Sequence, residues 1–447
     1  MRINIQKSEM FTNVLESVTN SKEHHPITGL TNDSRKIKPG DLYIALNGQN
    51  HDGHQFLNEV NDKGASAAIV NEIDDEIKLQ QIKVIDTMSF LKSFAIRWRQ
   101  SFTIPVIAIT GSNGKTSSKD LLFHILSDQF SVHATKGNFN TIVGLCFTIF
   151  ELTTDHDLAI FEIGASMPGE IKTLCEIACP THGLITNIAP AHLEGFGSVR
   201  NIAKEKGELF NSLLNGISFV NKADKYISRL KVSGKKITFG LTPDCDFPAD
   251  IFQEEDGTLT LILNTSEIKT NSQNFSFLKN CIATSVIAET LGVNANSINK
   301  RLKSFLPPKG RCFVSKVNEI TIIDDTYNAN LMSTLAALEY LNAFSNDGRK
   351  IFVFGDMLEL GKESKRQHIE VGKKCSFLNI DIVYTFGEQT IFTNSILNSD
   401  NGTYKHFESR DLLVETLKMI IRKGDKVLFK GSRSMKMDDI IKGVFGL

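Results

Sequence analysis

The chain has 447 residues, which at roughly 150 residues per domain predicts about three domains. Hydrophobic residues make up 41% and charged residues 23%, the proportions of a protein that can bury several cores. The formal net charge is −1 and lysines and arginines form no continuous block, which argues against a nucleic-acid partner. Any phosphate that this protein binds must therefore be held by local geometry.

The segment MRINIQKSEM has no apolar stretch of signal-peptide length, and no later run approaches the ~18 apolar residues of a membrane span. Seven cysteines are spread along the chain without framework spacing, which favours reduced thiols that serve as small core residues. We therefore expect a cytoplasmic protein without membrane insertion. Cys175 and Cys179 lie four apart, but no second Cys/His pair lies near them to complete a zinc site.

Residues 1–84 are predicted to form a small α/β domain. The segment KPGDLYIALNG is typical of a turn, a strand and a second turn, and GASAAIV of a helix end followed by a strand. Between them lies the loop GQNHDGH, which is rich in groups able to bind a polar ligand.

Residues 85–309 are predicted to form a second domain. A helix over SFLKSFAIRWRQ leads to the apolar run IPVIAIT, a glycine loop and a helix over SKDLLFHILSD. Buried strands are predicted at DLAIFEIG, HGLITNI, GISFVN and KITFG. Near-continuous apolar strands that alternate with helices indicate a parallel sheet covered on both faces.

Residues 310–447 repeat this alternation. Strands are predicted at EITIID, KIFVFGD, DIVYTFG and KVLFKGS, with amphipathic helices such as STLAALEYLNAF and DLLVETLKMIIRK between them. This pattern predicts a Rossmann-like, doubly wound α/β domain. The segment LPPKGR, with paired prolines and a glycine, is a candidate hinge between the second and third domains.

The segment IAITGSNGKT carries the strongest local signal for a function, because an apolar strand runs into a glycine loop that opens a helix. Gly111 and Gly114 allow a tight turn that points N–H groups at phosphate oxygens, and the helix N-terminus adds its positive dipole end. Lys115 can neutralise β- and γ-phosphate charge, and the Thr116 hydroxyl can ligate Mg²⁺. The match is to the short GxxGKT core, so a βα turn that binds nothing is the alternative.

Two further polar side chains follow strands of the same predicted sheet. Glu162 ends the run LAIFE, and His192 comes a few residues after GLITNI. Because ligands of open α/β sheets collect beyond the carboxyl ends of the strands, both side chains could reach one Mg²⁺–nucleotide cluster. The alternatives are a solvated glutamate at a strand end and a hydrogen-bonded loop histidine.

Lys206 is predicted to lie on the apolar face of a helix. Helical spacing places it four residues after Ile202 and four before Phe210. Burial would lower the lysine pKa from its ordinary ~10.4 and favour the neutral amine. A neutral amine can react with CO₂ to give a carbamate, an anion able to bind Mg²⁺. The alternative is a lysine that reaches solvent and pairs with Glu170 or Glu176.

These residues fall within a series of motifs in which the chain resembles the Mur ligases, and among them the type that adds D-alanyl-D-alanine. The motifs cover essentially the whole chain in order: TNDSRKIKPGDLYIALNGQNHDGH, GSNGKTSSKD, TKGNFN, FEIGASMPGEI, TNIAPAHLEGFGS, IAKEKGELF, DDTYNAN, GDMLELGKES and KGSRSMKM.

The resemblance implies three domains that hold the UDP-sugar (1–84), ATP on a phosphate loop (85–309) and the incoming dipeptide (310–447). It implies an ATP- and Mg²⁺-dependent ligase of peptidoglycan precursor synthesis. This enzyme would join D-alanyl-D-alanine to the carboxylate of UDP-N-acetylmuramoyl-tripeptide through an acyl phosphate, with carbamylated Lys206 in its site. We expect a monomer.

The resemblance also implies roles for individual residues. The catalytic groups would be Lys115, Glu162, His192 and Lys206, and the metal would be held by Thr116, Glu162, His192 and Lys206. ATP would contact Gly111, Ser112, Asn113, Gly114, Lys115, Thr116, Ser117, Asn280, Arg311 and Asp325. The UDP-peptide and dipeptide would contact Asp33, Ser34 and Arg35 in the first domain, Asn138 and Asn140 in the second, and Tyr327, Asn328 and Asn330 in the third.

Two motifs depart from the family pattern. Thr141 and Cys146 stand where GNxNNxxGxP has asparagine and proline, and Ser276-Phe277 stand where HNxxN has His-Asn. Three alternatives stay open. A sibling ligase that adds the third amino acid is disfavoured because Asp-Asn-Pro-Arg is absent, and a folate polyglutamylating enzyme is disfavoured by TNDSR. The third is a non-catalytic paralogue that binds a nucleotide-sugar.

Overall fold

The computed structural model describes residues 1–19, 21, 27–48, 51–255, 257–345, 347–397 and 402–446. Positions 49 and 50 of the predicted ligand-binding loop GQNHDGH lie outside these residues. The described chain forms three β-sheets flanked by helices, of five, nine and six strands. In the described ranges no helix combines the length and the apolar character needed to cross a bilayer.

The first sheet has its strands in sequence order, with the first pair antiparallel and the others parallel. The two predicted strands are its third and fourth, and every residue of both is buried because they are inner strands. Its elements are β1 (Arg2–Asn4), α1 (Ser8–Thr19), β2 (Gly29–Thr31), β3 (Asp41–Ile44), α2 (Leu57–Asp62), β4 (Ala67–Val70) and β5 (Gln80–Lys83).

One continuous hydrophobic core joins the first domain to the second. Helix α3 (Thr87–Gln100) packs against α1, and the ring of Phe94 lies 4.9 Å from that of Phe11. Phe94 also lies 4.7 Å from Phe150 of the second domain, so aromatic rings from three helices meet. Aromatic contacts of this kind make the junction a packed interface.

The second sheet has the strand order β14-β13-β12-β11-β10-β9-β6-β8-β7. Its elements are β6 (Val106–Thr110), α4 (Lys115–Leu126), β7 (Val132–Ala134), α5 (Ile142–Phe150), β8 (Leu158–Glu162), α6 (Glu170–Ala178), β9 (His182–Ile185), α7 (Leu193–Phe196), α8 (Val199–Ser212), β10 (Ile217–Asn221), β11 (Lys235–Gly240), β12 (Phe247–Gln253), β13 (Leu259–Leu263), β14 (Ser266–Lys269), α9 (Phe275–Thr290) and α10 (Ala295–Ser304).

Strands β6 to β12 of this sheet are parallel, as predicted, but β12, β13 and β14 pair antiparallel. The antiparallel extension was not predicted. Strand β12 has mostly polar or half-exposed positions, so it lacks the continuous apolar run that identifies a strand buried on both faces. In the parallel part, Ile107 and Ala108 point into different cores, so helices cover both faces.

The strand order of the second sheet determines where a site can form. Strand β6 lies between β8 and β9, so the carboxyl ends of three parallel strands meet at one edge. The last residues of these strands are Thr110, Glu162 and Ile185. The glycine loop, the carboxylate and the chain leading to His192 therefore leave the sheet side by side.

The third sheet has the order β15-β16-β20-β17-β18-β19, and all strands except the edge strand β15 are parallel. Phe352 and Phe354 face one core and Ile351 and Val353 the other, which confirms a doubly wound domain. Its elements are β15 (Phe313–Val317), β16 (Ile320–Asp325), α11 (Leu331–Ala343), β17 (Lys350–Gly355), α12 (Ser364–Phe377), β18 (Ile382–Phe386), α13 (Ile391–Asn394), β19 (Tyr404–Phe407), α14 (Arg410–Ile420), β20 (Lys426–Lys430) and α15 (Met437–Phe445).

A candidate nucleotide and metal site between two domains

A cleft of about 1270 Å³ opens between the second and third domains. Most of the residues predicted for the site line it, whereas Gly111, Lys206 and the first-domain residues Asp33, Ser34 and Arg35 do not. The predicted residues that line the cleft are Ser112, Asn113, Gly114, Lys115, Thr116, Ser117, Asn138, Asn140, Glu162, His192, Asn280, Arg311, Asp325, Tyr327, Asn328 and Asn330.

The two glycines of the phosphate loop are both required by the backbone. Gly111 has φ +151°, and a Cβ there would lie 1.9 Å from the hydroxyl oxygen of Thr186. Gly114 has φ +79°, and a Cβ there would lie 2.9 Å from Oδ1 of Asn280. Any other residue would be strained at these positions and would push the loop away from its neighbours.

Two N–H groups of the phosphate loop already donate hydrogen bonds within the protein. Those of Ser112 and Asn113 donate to the carbonyl and to Oδ1 of Asn187, each at 3.0 Å. Helix α4 then begins at Lys115, and within the described residues no side chain caps its N-terminus. The donors left for a phosphate are therefore those of the first helical turn, where the helix dipole is positive.

Lys115 is held close to this turn. Its Nζ donates to the carbonyl of Gly111 at 2.8 Å. Burial lowers the pKa of Lys115, while the charge of Glu162 raises it and that of Arg311 lowers it further. An anion bound at the start of α4 would relieve the cost of keeping this ammonium away from bulk water.

Glu162 provides the test of whether the cleft fits a cation. The side chain is only 2% exposed, and its Oε1 accepts a hydrogen bond from Nδ2 of Asn140 at 2.9 Å. Its Oε2 is buried without a hydrogen-bond partner among the residues that the structure describes. A buried carboxylate oxygen left in this way is costly, and a cation would satisfy it. The donor set therefore fits Mg²⁺.

The described side chains do not by themselves provide a complete set of metal ligands. In the described part of the chain, no three His, Cys, Asp or Glu side chains come together to hold an ion. Mg²⁺ is commonly bound by one or two carboxylates together with substrate phosphates and water. A site built from Glu162, a hydroxyl and a nucleotide has this composition.

Lys206 lies on the buried face of α8, as the helical spacing predicted, and is 2% exposed. Among the described residues its amine forms no hydrogen bond or ion pair, so the alternative pairing with Glu170 or Glu176 is not observed. Glu205 instead accepts hydrogen bonds from the backbone at the start of α6. Burial, with a smaller effect of the Lys115 charge, lowers the pKa of Lys206 to about 7.

The third domain contacts the phosphate loop through two polar side chains. Arg311 donates to the hydroxyl of Thr116 at 3.2 Å, and its guanidinium lies 3.8 Å from the ring centroid of Tyr327. Asn330 donates from Nδ2 to Oδ1 of Asn113 at 2.6 Å. Residues far apart in the chain therefore meet at the start of α4.

Asp325 and Asn328 are held from within the third domain. Lys430 donates to Oδ2 of Asp325 at 2.5 Å and to the carbonyl of Asn328 at 3.0 Å. The other carboxylate oxygen of Asp325 accepts from the backbone N–H of Cys312 at 3.2 Å. Asp325 is thus fixed at the cleft wall beside the segment that carries Arg311.

Asp33, Ser34 and Arg35 form a separate polar group after β2. Arg35 donates to Oδ1 of Asp33 at 2.8 Å, and this hydrogen bond is the main cause that lowers the pKa of Asp33 to about 2. Ser34 donates to Oε2 of Glu59 at 2.9 Å. The structure does not bring these residues to the cleft.

Several cleft residues were not predicted. Asn187 anchors the loop, and its place after a strand of the same sheet is the signal that also identified Glu162. Asn274 caps α9 by accepting from the N–H of Phe277 at 3.2 Å, and the Phe277 ring stacks on Phe305 at 5.8 Å. Phe277 belongs to one of the two segments that depart from the family pattern. In the other such segment, Cys146 is buried within α5.

Models of three protein families match this chain. They are the Mur ligase family catalytic domain at residues 26–99, the Mur ligase middle domain at 109–287, and the Mur ligase glutamate ligase domain at 310–433. The UDP-N-acetylmuramoyl-tripeptide–D-alanyl-D-alanine ligase of Haemophilus influenzae is 32% identical over 96% of both chains. The enzyme of the same name from Escherichia coli is 33% identical over 94% of both. The chain belongs to the Mur ligase family.

Solved Mur ligase structures match the whole molecule. MurF from Acinetobacter baumannii has a TM-score of 0.88 at 29% identity and covers 98% of both chains. MurF from Thermotoga maritima, in complex with ADP, has a TM-score of 0.82 at 28% identity and covers 93% of this chain and 97% of its own. The three-domain α/β fold predicted from the sequence is therefore confirmed.

Proposed function

We propose that this Mur ligase joins D-alanyl-D-alanine to the terminal carboxylate of UDP-N-acetylmuramoyl-tripeptide with hydrolysis of ATP, a step of peptidoglycan precursor synthesis. One observation carries the proposal. A phosphate loop, a buried carboxylate with an unpaired oxygen and polar groups of the third domain line one cleft. Full-length relatives that carry this enzyme name at 32–33% identity support the choice of substrates.

The reaction has two steps. An oxygen of the tripeptide carboxylate attacks the γ-phosphorus, the bond from that phosphorus to the β-phosphate oxygen breaks, and ADP leaves. The dipeptide amine then attacks the acyl phosphate, loses a proton and expels inorganic phosphate through a tetrahedral intermediate. Phosphorylation is needed because a carboxylate is a poor electrophile.

The chain's own groups would bind and orient the substrates. Lys115 and the first turn of α4 would neutralise the triphosphate, and Asn280, Arg311 and Asp325 would orient the nucleotide. Thr116, Glu162 and His192 would hold Mg²⁺, which supplies further charge neutralisation at the phosphates.

We extend the proposal to a carbamate on Lys206. The neutral amine would add to the carbon of CO₂ and release one proton, which leaves an N-carboxylate anion. Two features support this reaction: the side chain is 2% exposed with no hydrogen bond or ion pair of its amine observed among the described residues, and its pKa is lowered to about 7. The anion would be partly offset by the Lys115 ammonium, whose charge at present adds to the lowering of that pKa. The Lys115 charge, which disfavours the protonated form of Lys206, would therefore favour the carbamate.

We assign residues 1–84 to the UDP-sugar, 85–309 to ATP and 310–447 to the dipeptide. The polar group formed by Asp33, Ser34 and Arg35 lies outside the cleft, which suits a long substrate whose uridine end is remote from its reacting carboxylate. Asn138 and Asn140 would contact the muramoyl-peptide. Tyr327, Asn328 and Asn330 would contact the substrates from the third domain. We expect a monomer.

The cysteines support a cytoplasmic location for this enzyme. All seven are free in the structure, and four of them are buried as small core residues. Unpaired thiols of this kind are typical of a reducing compartment. ATP, which the proposed reaction consumes, is supplied in the same compartment.

Phosphate release tests the proposal. Wild-type protein is assayed with UDP-N-acetylmuramoyl-tripeptide, ATP, Mg²⁺ and D-alanyl-D-alanine, with each omitted in turn, and Lys115→Ala serves as the inactive reference. We expect release only with all four components and loss of release when EDTA removes the metal. Release that prefers a single amino acid over the dipeptide would favour a sibling ligase. No release with any amine would favour a non-catalytic paralogue.

A further inference from the structure

His192 of the second domain and Glu359 of the third are joined by a direct hydrogen bond between Nδ1 and Oε2. The two residues are 167 positions apart in the chain, and both line the cleft. The backbone carbonyl of Glu359 also accepts from the N–H of Glu194 at 3.5 Å. The loop of the third domain that holds Glu359 therefore docks against the start of α7.

Both partners of this bond have an unusual backbone. His192 has φ +50° and Glu359 has φ +61°, the left-handed region that side chains other than glycine seldom occupy. Such conformations persist only where the surrounding structure holds them, and they cluster at functional sites. Here two of them face each other across a domain junction, which aims the carboxylate at the imidazole.

The bond determines which ring nitrogen of His192 is free. An ionised carboxylate can only accept, so Nδ1 carries the proton of this bond, and in the neutral imidazole Nε2 then keeps its lone pair. Metal-binding histidines commonly donate their second N–H to a carboxylate, which fixes both the tautomer and the ring orientation. The side chain of Glu359 is 60% exposed, so it has little packing role of its own.

We infer that Glu359 is a positioning residue that prepares His192 for the divalent cation, so that the cation site is complete only when the third domain is docked on the second. The inference rests on the proposed function, because it takes His192 as a metal-binding group. It adds that the metal site is assembled from two domains. Metal binding and domain docking then stabilise each other.

Mn²⁺ binding in the presence of ADP, followed by electron paramagnetic resonance, tests the inference without any turnover. In Glu359→Ala we expect Mn²⁺ affinity to fall about tenfold, the low end of the effect of losing such a supporting carboxylate. Glu359→Gln keeps an oxygen that can accept from Nδ1, and we expect it to retain most of the affinity. Glu363→Ala is the matched control, since Glu363 pairs with Arg366 and does not line the cleft.

Steady-state kinetics provide the second measurement. With saturating substrates, Glu359→Ala should raise the KM for Mg²⁺ about tenfold and leave kcat at high Mg²⁺ much less affected. Unchanged Mn²⁺ affinity in Glu359→Ala would overturn the inference, and so would a fall of the same size in Glu363→Ala. The proposed function would survive either result, because it is judged by phosphate release from the wild-type protein.

Discussion

Replacing Lys206 by methionine tests how much the buried amine lowers the stability of this protein. The side chain is 2% exposed on α8, and its burial lowers the pKa to about 7 from an ordinary 10.5. At 1.36 kcal/mol per pH unit, this difference corresponds to about 5 kcal/mol, an upper value for the cost of burying the charge. Methionine has a similar shape and carries no charge, so Lys206→Met removes that cost.

The pH dependence of the wild-type stability follows from the number of protons that the folded and unfolded chains bind. The folded pKa of Lys206 lies below the unfolded pKa, so between about pH 7 and 10.5 the unfolded chain binds the extra proton. The free energy of unfolding of the wild type therefore rises with pH across this window. Below pH 7 the whole cost of burying the charged lysine is present. The free energy of unfolding of Lys206→Met should therefore exceed that of the wild type most below pH 7.

Thermal unfolding midpoints in CO₂-free buffer at pH 6 and pH 9 measure this effect. At roughly 2–4 °C per kcal/mol for a domain of this size, we expect Lys206→Met to unfold up to about 10–20 °C higher than the wild type at pH 6. The two midpoints should approach each other at pH 9. Lys204→Met, on the exposed face of the same helix, is the control. Equal pH dependence in the wild type and Lys206→Met would refute the reasoning.

Three further predictions follow from the same contacts. Lys206→Ala should lose phosphate release and regain part of it when short carboxylic acids are added, and undiminished activity would remove Lys206 from the metal site. Asn330→Ala should raise the KM for ATP several-fold, because the bond to Asn113 is lost, and should cost about 1 kcal/mol of stability through the lost cap of α11, measured by chemical denaturation. Iodoacetamide should modify Cys245 before Cys146, whose burial raises its pKa to about 12, and peptide mass spectrometry on native protein would reveal the opposite order.

Features that depend on local periodicity were predictable. The burial of Lys206 followed from its spacing from Ile202 and Phe210, because a helix brings residues four apart onto one face. The parallel strands of the second and third domains followed from their apolar runs. The antiparallel strands β13 and β14 were missed. Strand β14 is an edge strand with one buried position, so it lacks a continuous apolar pattern, whereas β13 is a buried apolar run in which nothing specifies an antiparallel partner.

The amino-acid sequence by itself determined the class of fold, the phosphate loop with its two glycines, and the buried face of α8, because each depends on neighbours within a few positions. Only the tertiary structure decided which distant groups meet. Asn187 accepts hydrogen bonds from two N–H groups of the loop. Arg311 donates a hydrogen bond to Thr116, and Glu359 is hydrogen-bonded to His192. These pairings depend on how strand order and domain docking bring separate segments together, and no pattern within either segment specifies its partner.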